Sequence, residues 1–377
     1  MKLHGFEQII FLEFVRAGLW EKEIRISQYR EVDYNIIIRL AEEQSVVGLI
    51  TAGLEHVIDT SVPKEIVLQF VGQCIQLEQQ NTAMNIFIGV IVEKLRRSGV
   101  YTLLVKGQGV AQCYARPLWR SCGDVDFLLS NEDYVKAKHY LIPIASSVDR
   151  EDKSVKHQGM TIDSWVVELH GSLHSGLSKR IDKVLDEVQF DIFYGGNVRS
   201  WMNGNYQVFL PGVNEDVFFV FTHILQHFFK GGIGLRQICD WCRLIFTYRD
   251  ALDKRLLECR LRKAGLMSEW RAFAALAVNW LGMAAEAMPF YSPSLKWKRK
   301  ADKILSLVVE TGNFGNNRNK SYIKSQPQIV RKIITFYWQT WDSFRFLFIF
   351  PLDSLLVWWR TLINGILTLG VDKRTKA

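Results

Sequence analysis

The run Gly123-Asp124-Val125-Asp126-Phe127-Leu128-Leu129 puts two carboxylates into a segment that is otherwise apolar. Side chains alternate along a strand, so Asp124 and Asp126 share one face while Val125 and Phe127 take the other. Two like charges side by side repel and must be neutralised. A divalent cation does this directly, because Mg2+ takes oxygen ligands and binds through one or two carboxylates together with substrate phosphates. Taken alone, a strand at a sheet edge with a solvated polar face explains the pair as well.

Three neighbouring features favour the metal. Trp165-Val166-Val167-Glu168-Leu169-His170 repeats the arrangement, with Glu168 and His170 on one face. A third carboxylate from a neighbouring strand would complete a two-metal cluster of the kind that clamps an in-line phosphoryl displacement. Lys106-Gly107 closes the β-rich run that precedes it and opens a helix. There glycine lets backbone approach a phosphate, and a helix N-terminus offers free N–H groups. Arg116 and Arg120 lie between the Gly turn and the Asp pair, placed for a triphosphate. Each of these cations is ordinarily a solvated surface charge; their convergence argues otherwise.

Lys-Gly, a short helix, an Arg, Asp-x-Asp on a strand and a later Glu-x-His strand together resemble the uncharacterised bacterial nucleotidyltransferases of the DNA polymerase β superfamily. The resemblance runs from Leu103 to Leu173 and extends weakly into residues 215–245. It implies that Asp124, Asp126 and Glu168 are the catalytic residues and bind two Mg2+ ions, with Mn2+ as the alternative. It implies that Gly107 and the helix it opens bind the triphosphate of an NTP; Lys106, Gln108 and Arg120 are the further nucleotide-binding candidates read from the sequence. Gln108 stands where the family usually has Ser, and the stretch from Gly107 to Asp124 is longer than in the smallest members. The expected reaction moves a nucleoside monophosphate to an acceptor hydroxyl and releases pyrophosphate. The acceptor is a small molecule, a protein or RNA. The alternative is a non-catalytic nucleotide-binding or scaffold module that docks a partner protein or a membrane through residues 333–371.

Secondary candidates lie on the same strand and farther along. His170 shares the Glu168 face, where it can orient a carboxylate or receive a proton; Mg2+ prefers oxygen. His223 and His227 are four apart on one helical face, but His-Ile-Leu-Gln-His lacks the Glu of a zinc protease motif. They read as a polar pair packed near the nucleotide. Asp240 lies four residues after Arg236, the spacing of an internal ion pair. Family members carry His and Asp at comparable helical positions, which keeps His223 and Asp240 as site candidates. Cys239-x-x-Cys242 reads as part of a helix, with no second pair at zinc spacing.

The elements that must position these residues divide the chain into an N-terminal helical region (1–98), an α+β core (99–213) and a C-terminal helical region (214–377). The core is a small mixed sheet flanked by helices. Strands are expected at Val100–Gly107, Asp124–Leu129 and Ser164–Leu173. Asn131 onward is a helix, capped by Ser130 with Asp133 three residues later. Tyr34–Ile58 and Asn81–Gly99 keep helical periodicity. Glu215–Phe246 reads as two helices around a Gly turn, and the aromatic-rich segment after residue 333 as two helices separated by Pro351.

The chain of 377 residues carries a net charge of +8 and 48% hydrophobic residues, an ordinary folded composition with attraction for anions. The basic residues are dispersed, without the stripe a nucleic-acid-binding surface presents. Six scattered cysteines argue against a disulfide framework. No uncharged apolar run reaches membrane-spanning length and the first residues lack signal-peptide features, so a cytoplasmic setting is expected, with peripheral membrane contact through residues 333–371.

Overall fold

In a computed structural model, residues 5–29, 32–230, 232–313 and 328–367 are described. Seven strands form one sheet: β1 (Leu103–Val105), β2 (Asp124–Leu128), β3 (Ser147–Val148), β4 (His157–Ile162), β5 (Trp165–His170), β6 (Val198–Asn203) and β7 (Tyr206–Pro211). Their order is β3-β4-β5-β2-β1-β7-β6. β2 runs parallel to β5 and antiparallel to β1, and β1 runs parallel to β7. This is the α+β architecture with a mixed sheet that the sequence implies, enlarged by four strands.

The sheet separates two apolar clusters. On one side Val125, Phe127, Val167 and Leu169 are fully buried against Met84, Ile88, Ile91 and Val92 of the long helix Lys64–Arg97, and against Tyr134, Ala137 and Leu141. Leu103, Val105 and Leu128 belong to the other cluster, which extends through Phe218, Phe221 and Trp241. Period-two alternation therefore decides which residues face which helices, and it leaves Asp124, Asp126, Glu168 and His170 on one face of the sheet.

Local signals set the helix ends. Ser130 accepts from the Asp133 N–H at 3.1 Å, starting the helix Asn131–Leu141 as expected. The long helix ends with Lys94, Arg96 and Arg97, cations beside its negative dipole end. The stretch read as one helical pattern over 34–58 is instead two helices, Tyr34–Glu43 and Val47–Glu55, separated at Ser45 (φ 56°). Gly48 then lies so close to the chain at Trp119 that a Cβ on it would be 2.0 Å from the Trp119 carbonyl oxygen. This contact pins the loop that leads into β2.

The helices Val213–Lys230 and Leu235–Thr247 flank a Gly turn, as read from the sequence. Two further helices, Gln328–Leu347 and Pro351–Leu367, meet at Pro351. Phe346 and Phe350 pack on Phe228 and Phe229, with ring centroids 4.7–6.4 Å apart. The opposite face exposes Tyr337, Trp341, Phe344 and Phe348, spaced four, three and four apart on one helical stripe. The stretch 310–328, rich in Asn, Gly, Lys and Gln and read from its composition as a polar loop, lies mostly outside the described residues. Cys239 and Cys242 are buried free thiols within a helix. Among the described residues, no helix is long and apolar enough to cross a membrane.

Candidate active site

Parallel pairing of β2 with β5 puts Asp126 opposite Glu168, and antiparallel pairing of β2 with β1 puts Asp126 opposite Val105. One oxygen each from Asp124, Asp126 and Glu168 lies within 4.8 Å of the others. Asp126 is 2% exposed, whereas the Glu168 side chain retains 28% of its exposure, so the cluster opens to solvent on the Glu168 side.

Asp126 Oδ1 accepts from Lys106 Nζ at 2.7 Å and from His170 Nε2 at 2.8 Å. Burial alone would push this carboxyl up, but Lys106 and His170 reverse that and hold it well below the usual range. Asp124 shifts the other way: repulsion from Asp126, with burial, raises its pKa. Burial works against the Lys106 charge, yet Asp126, Glu168 and Asp124 together hold its pKa above the ordinary value. Three carboxylates thus face one ammonium, and the excess negative charge with oxygen donors suits a divalent cation.

Backbone strain marks the same place. Lys106 has φ 58° and ψ −144°, a conformation that costs a non-glycine residue roughly 1–3 kcal/mol, and Gly107 follows at φ 40°. A Cβ on Gly107 would lie 3.3 Å from Cys122 Sγ. The first N–H groups of the turn Gly107–Ala111 have no intrahelical acceptor, which leaves them for an anion.

Two expected phosphate contacts are placed elsewhere. The Arg120 side chain is 6% exposed and forms a bidentate pair with Asp240, Nε to Oδ1 at 3.0 Å and Nη2 to Oδ2 at 2.7 Å. Tyr114 donates to the same carboxylate at 2.8 Å. The partner of Asp240 is therefore Arg120 and not Arg236, and Arg120 braces the approach to β2 from inside. Gln108 is buried; its Nε2 donates to Asn81 Oδ1 at 2.7 Å. Asn81 in turn donates to the carbonyls of Leu118 and Arg120. The Gln108 side chain belongs to this brace, so only its backbone can meet a ligand. Arg116 is occupied by Glu55, with Nη1 and Nη2 donating at 2.8 and 2.6 Å.

Arg236 lies nearer the carboxylates' approach than its spacing suggested. Its Nη1 donates to the Ser121 carbonyl at 2.6 Å, and its buried Nε has no hydrogen-bond partner among the described residues. It attracts Asp124 and offsets a small part of the rise in that carboxyl's pKa. A shallow, open depression runs beside it, lined by Glu21, Gly48, Arg116, Trp119 and Ser121.

His223 Nε2 and His227 Nε2 are 3.1 Å apart, with no metal-holding group around them among the described residues. Burial, followed by the Lys106 charge, pushes His223 well below its usual value and His227 down to about 4. A histidine with a depressed folded-state pKa takes up its proton more readily when unfolded. Stability is then full above about pH 6.5 and falls as pH drops toward about 4. From His227 alone, about 2 kcal/mol is lost between pH 6.5 and pH 5. Urea denaturation at the two pH values, in chelator, measures it; His227→Gln removes that share of the difference.

His157 of β4 was not among the residues read from the sequence. It is the register partner of His170, and its Nε2 is 3.1 Å from Glu168 Oε2. That hydrogen bond raises its pKa. The alternation His157-Gly159-Thr161 toward a turn at Asp163-Ser164 was a strand signal, but only the sheet order reveals its neighbour. Likewise β6 and β7 are joined by the two-residue loop Gly204-Asn205, a hairpin signal between alternating runs.

A family model described as an uncharacterised nucleotidyltransferase matches residues 30–282. No curated protein and no solved structure matches the chain.

Proposed function

The chain belongs to that family of uncharacterised nucleotidyltransferases, and from this premise we propose that it transfers a nucleoside monophosphate from an NTP to an acceptor hydroxyl. The observation that carries the reading is the convergence of Asp124, Asp126 and Glu168 from two parallel strands in register. These three hold Mg2+, which when bound supplies charge neutralisation on the triphosphate and on the attacking oxygen. Lys106 keeps the most buried carboxylate ionised and offsets phosphate charge. Gly107 offers its backbone to the triphosphate, and Arg236 a guanidinium charge. Glu168, the open member of the trio, receives the proton of the acceptor hydroxyl as its oxygen bonds to the α-phosphorus and pyrophosphate leaves.

Arg236→Gln is expected to weaken NTP binding by about 10- to 100-fold, the worth of a lost hydrogen bond between charged groups. Isothermal titration measures it, and an affinity equal to that of the unmutated chain removes Arg236 from the site.

A second reading is a nucleotide-binding module that docks a partner or membrane through residues 333–371. The exposed row Tyr337, Trp341, Phe344 and Phe348 favours it. One experiment separates the two. The purified chain, Mg2+ and α-labelled NTPs are incubated with cell extract, which is then split into protein, RNA and small-molecule fractions. Label in one fraction with equal pyrophosphate release supports transfer; NTP binding without release supports the module; neither result with any NTP sinks both.

A further inference from the structure

Beside the three carboxylates lies a second donor set dominated by nitrogen. His157 and His170 face each other across β4 and β5, ring centroids 4.8 Å apart. Glu168 Oε2 is 3.1 Å from His157 Nε2 and 3.6 Å from His170 Nε2. Ligands about 2.1 Å from a tetrahedral ion lie about 3.4 Å from one another, so these separations are already those of a coordination shell. One donor atom from each of the three falls within 4.8 Å of the others, and all three residues are only partly buried. A fourth position is therefore open to solvent or substrate.

We infer that His157, His170 and Glu168 hold a transition-metal ion of the Zn2+ or Co2+ class, next to the carboxylate-bound ion and sharing Glu168 with it. Imidazole suits these ions, whereas Mg2+ keeps to oxygen. Two histidines, a glutamate and an open position form a donor set that catalytic zinc uses. When His170 turns to the metal, Asp126 Oδ1 still has Lys106 at 2.7 Å, so no buried carboxylate is stranded. The inference deepens the proposed function and rests on it for the use of the ion, but the binding site itself stands on its own geometry.

The test is titration of the full chain with Co2+ in the presence of excess Mg2+. Visible absorption of a four-coordinate, nitrogen-ligated Co2+ is expected at one ion per chain. His157→Ala weakens it about 100-fold, while Asp124→Asn leaves it intact. Because a variant can misfold, proton NMR of the unmutated Co2+-loaded chain is read as well. An exchangeable, paramagnetically shifted imidazole N–H signal is expected from each histidine. Absence of those signals, or Co2+ affinity indifferent to His157→Ala, overturns the inference. Loss of Mg2+-dependent NTP binding, measured separately, would instead count against the proposed function.

Discussion

On the proposed function, Asp124→Asn is expected to stabilise the metal-free chain and to abolish nucleotidyl transfer. Both effects follow from one charge. Repulsion from Asp126, together with burial, raises the Asp124 pKa, so its ionised form is less favourable folded than unfolded. Stability contributed by this group is present at low pH and is lost as pH rises through the folded-state pKa. Asparagine keeps the shape and removes the cost, and the thermal midpoint in chelator rises. Asp126→Asn gives the opposite sign, because it removes the negative charge that the buried Lys106 ammonium pairs with and that charge-assists the His170 hydrogen bond. Transfer falls in both variants by at least about 10³-fold, corresponding to roughly 4 kcal/mol of metal-based transition-state stabilisation. Added Mg2+ raises the midpoint of the unmutated chain and leaves that of Asp124→Asn nearly unmoved. A variant that gains stability and loses function at one position marks a charge retained for chemistry.

The largest stability effect belongs to Arg120. With Arg120 at 6% and Asp240 at 7% side-chain exposure, the pair is desolvated, and Arg120→Ala leaves the Asp240 carboxylate with Tyr114 as its remaining donor. The expected cost is about 3–5 kcal/mol, read as a shift in the urea midpoint. Replacing both partners, Arg120→Met with Asp240→Leu, recovers most of it, since the uncompensated charge is what costs. A phosphate-binding Arg120 predicts the reverse: unchanged stability with weakened NTP affinity.

What the sequence made legible was local. Asp124 and Asp126 share a face because alternation is a property of one strand, and Glu168 with His170 repeats that pattern on another. Ser130 caps its helix, and Pro351 separates two helices, for reasons contained within a few residues. Sheet order is not local. That β4 lies beside β5, and so brings His157 to Glu168, is decided by strands that fold back through residues 147–162, where the apolar pattern is weak. The fate of a charge is likewise decided from afar. Arg120 reads as a solvated or phosphate-facing cation until Asp240, 120 residues later, arrives to bury it. The same helix delivers Arg236 to Ser121, while the four-residue spacing of Arg236 and Asp240 suggested that they pair with each other. Spacing shows which residues share a helical face, not which partner waits opposite.

The central claim is that Asp124, Asp126 and Glu168 jointly hold metal for a nucleoside triphosphate. Isothermal titration of each NTP into the full chain, with Mg2+ and then with chelator, tests it most directly. Heat that appears only with Mg2+, and vanishes in the stable Asp124→Asn variant, is the predicted result. Binding that is indifferent to Mg2+, or that survives Asp124→Asn at full strength, contradicts it.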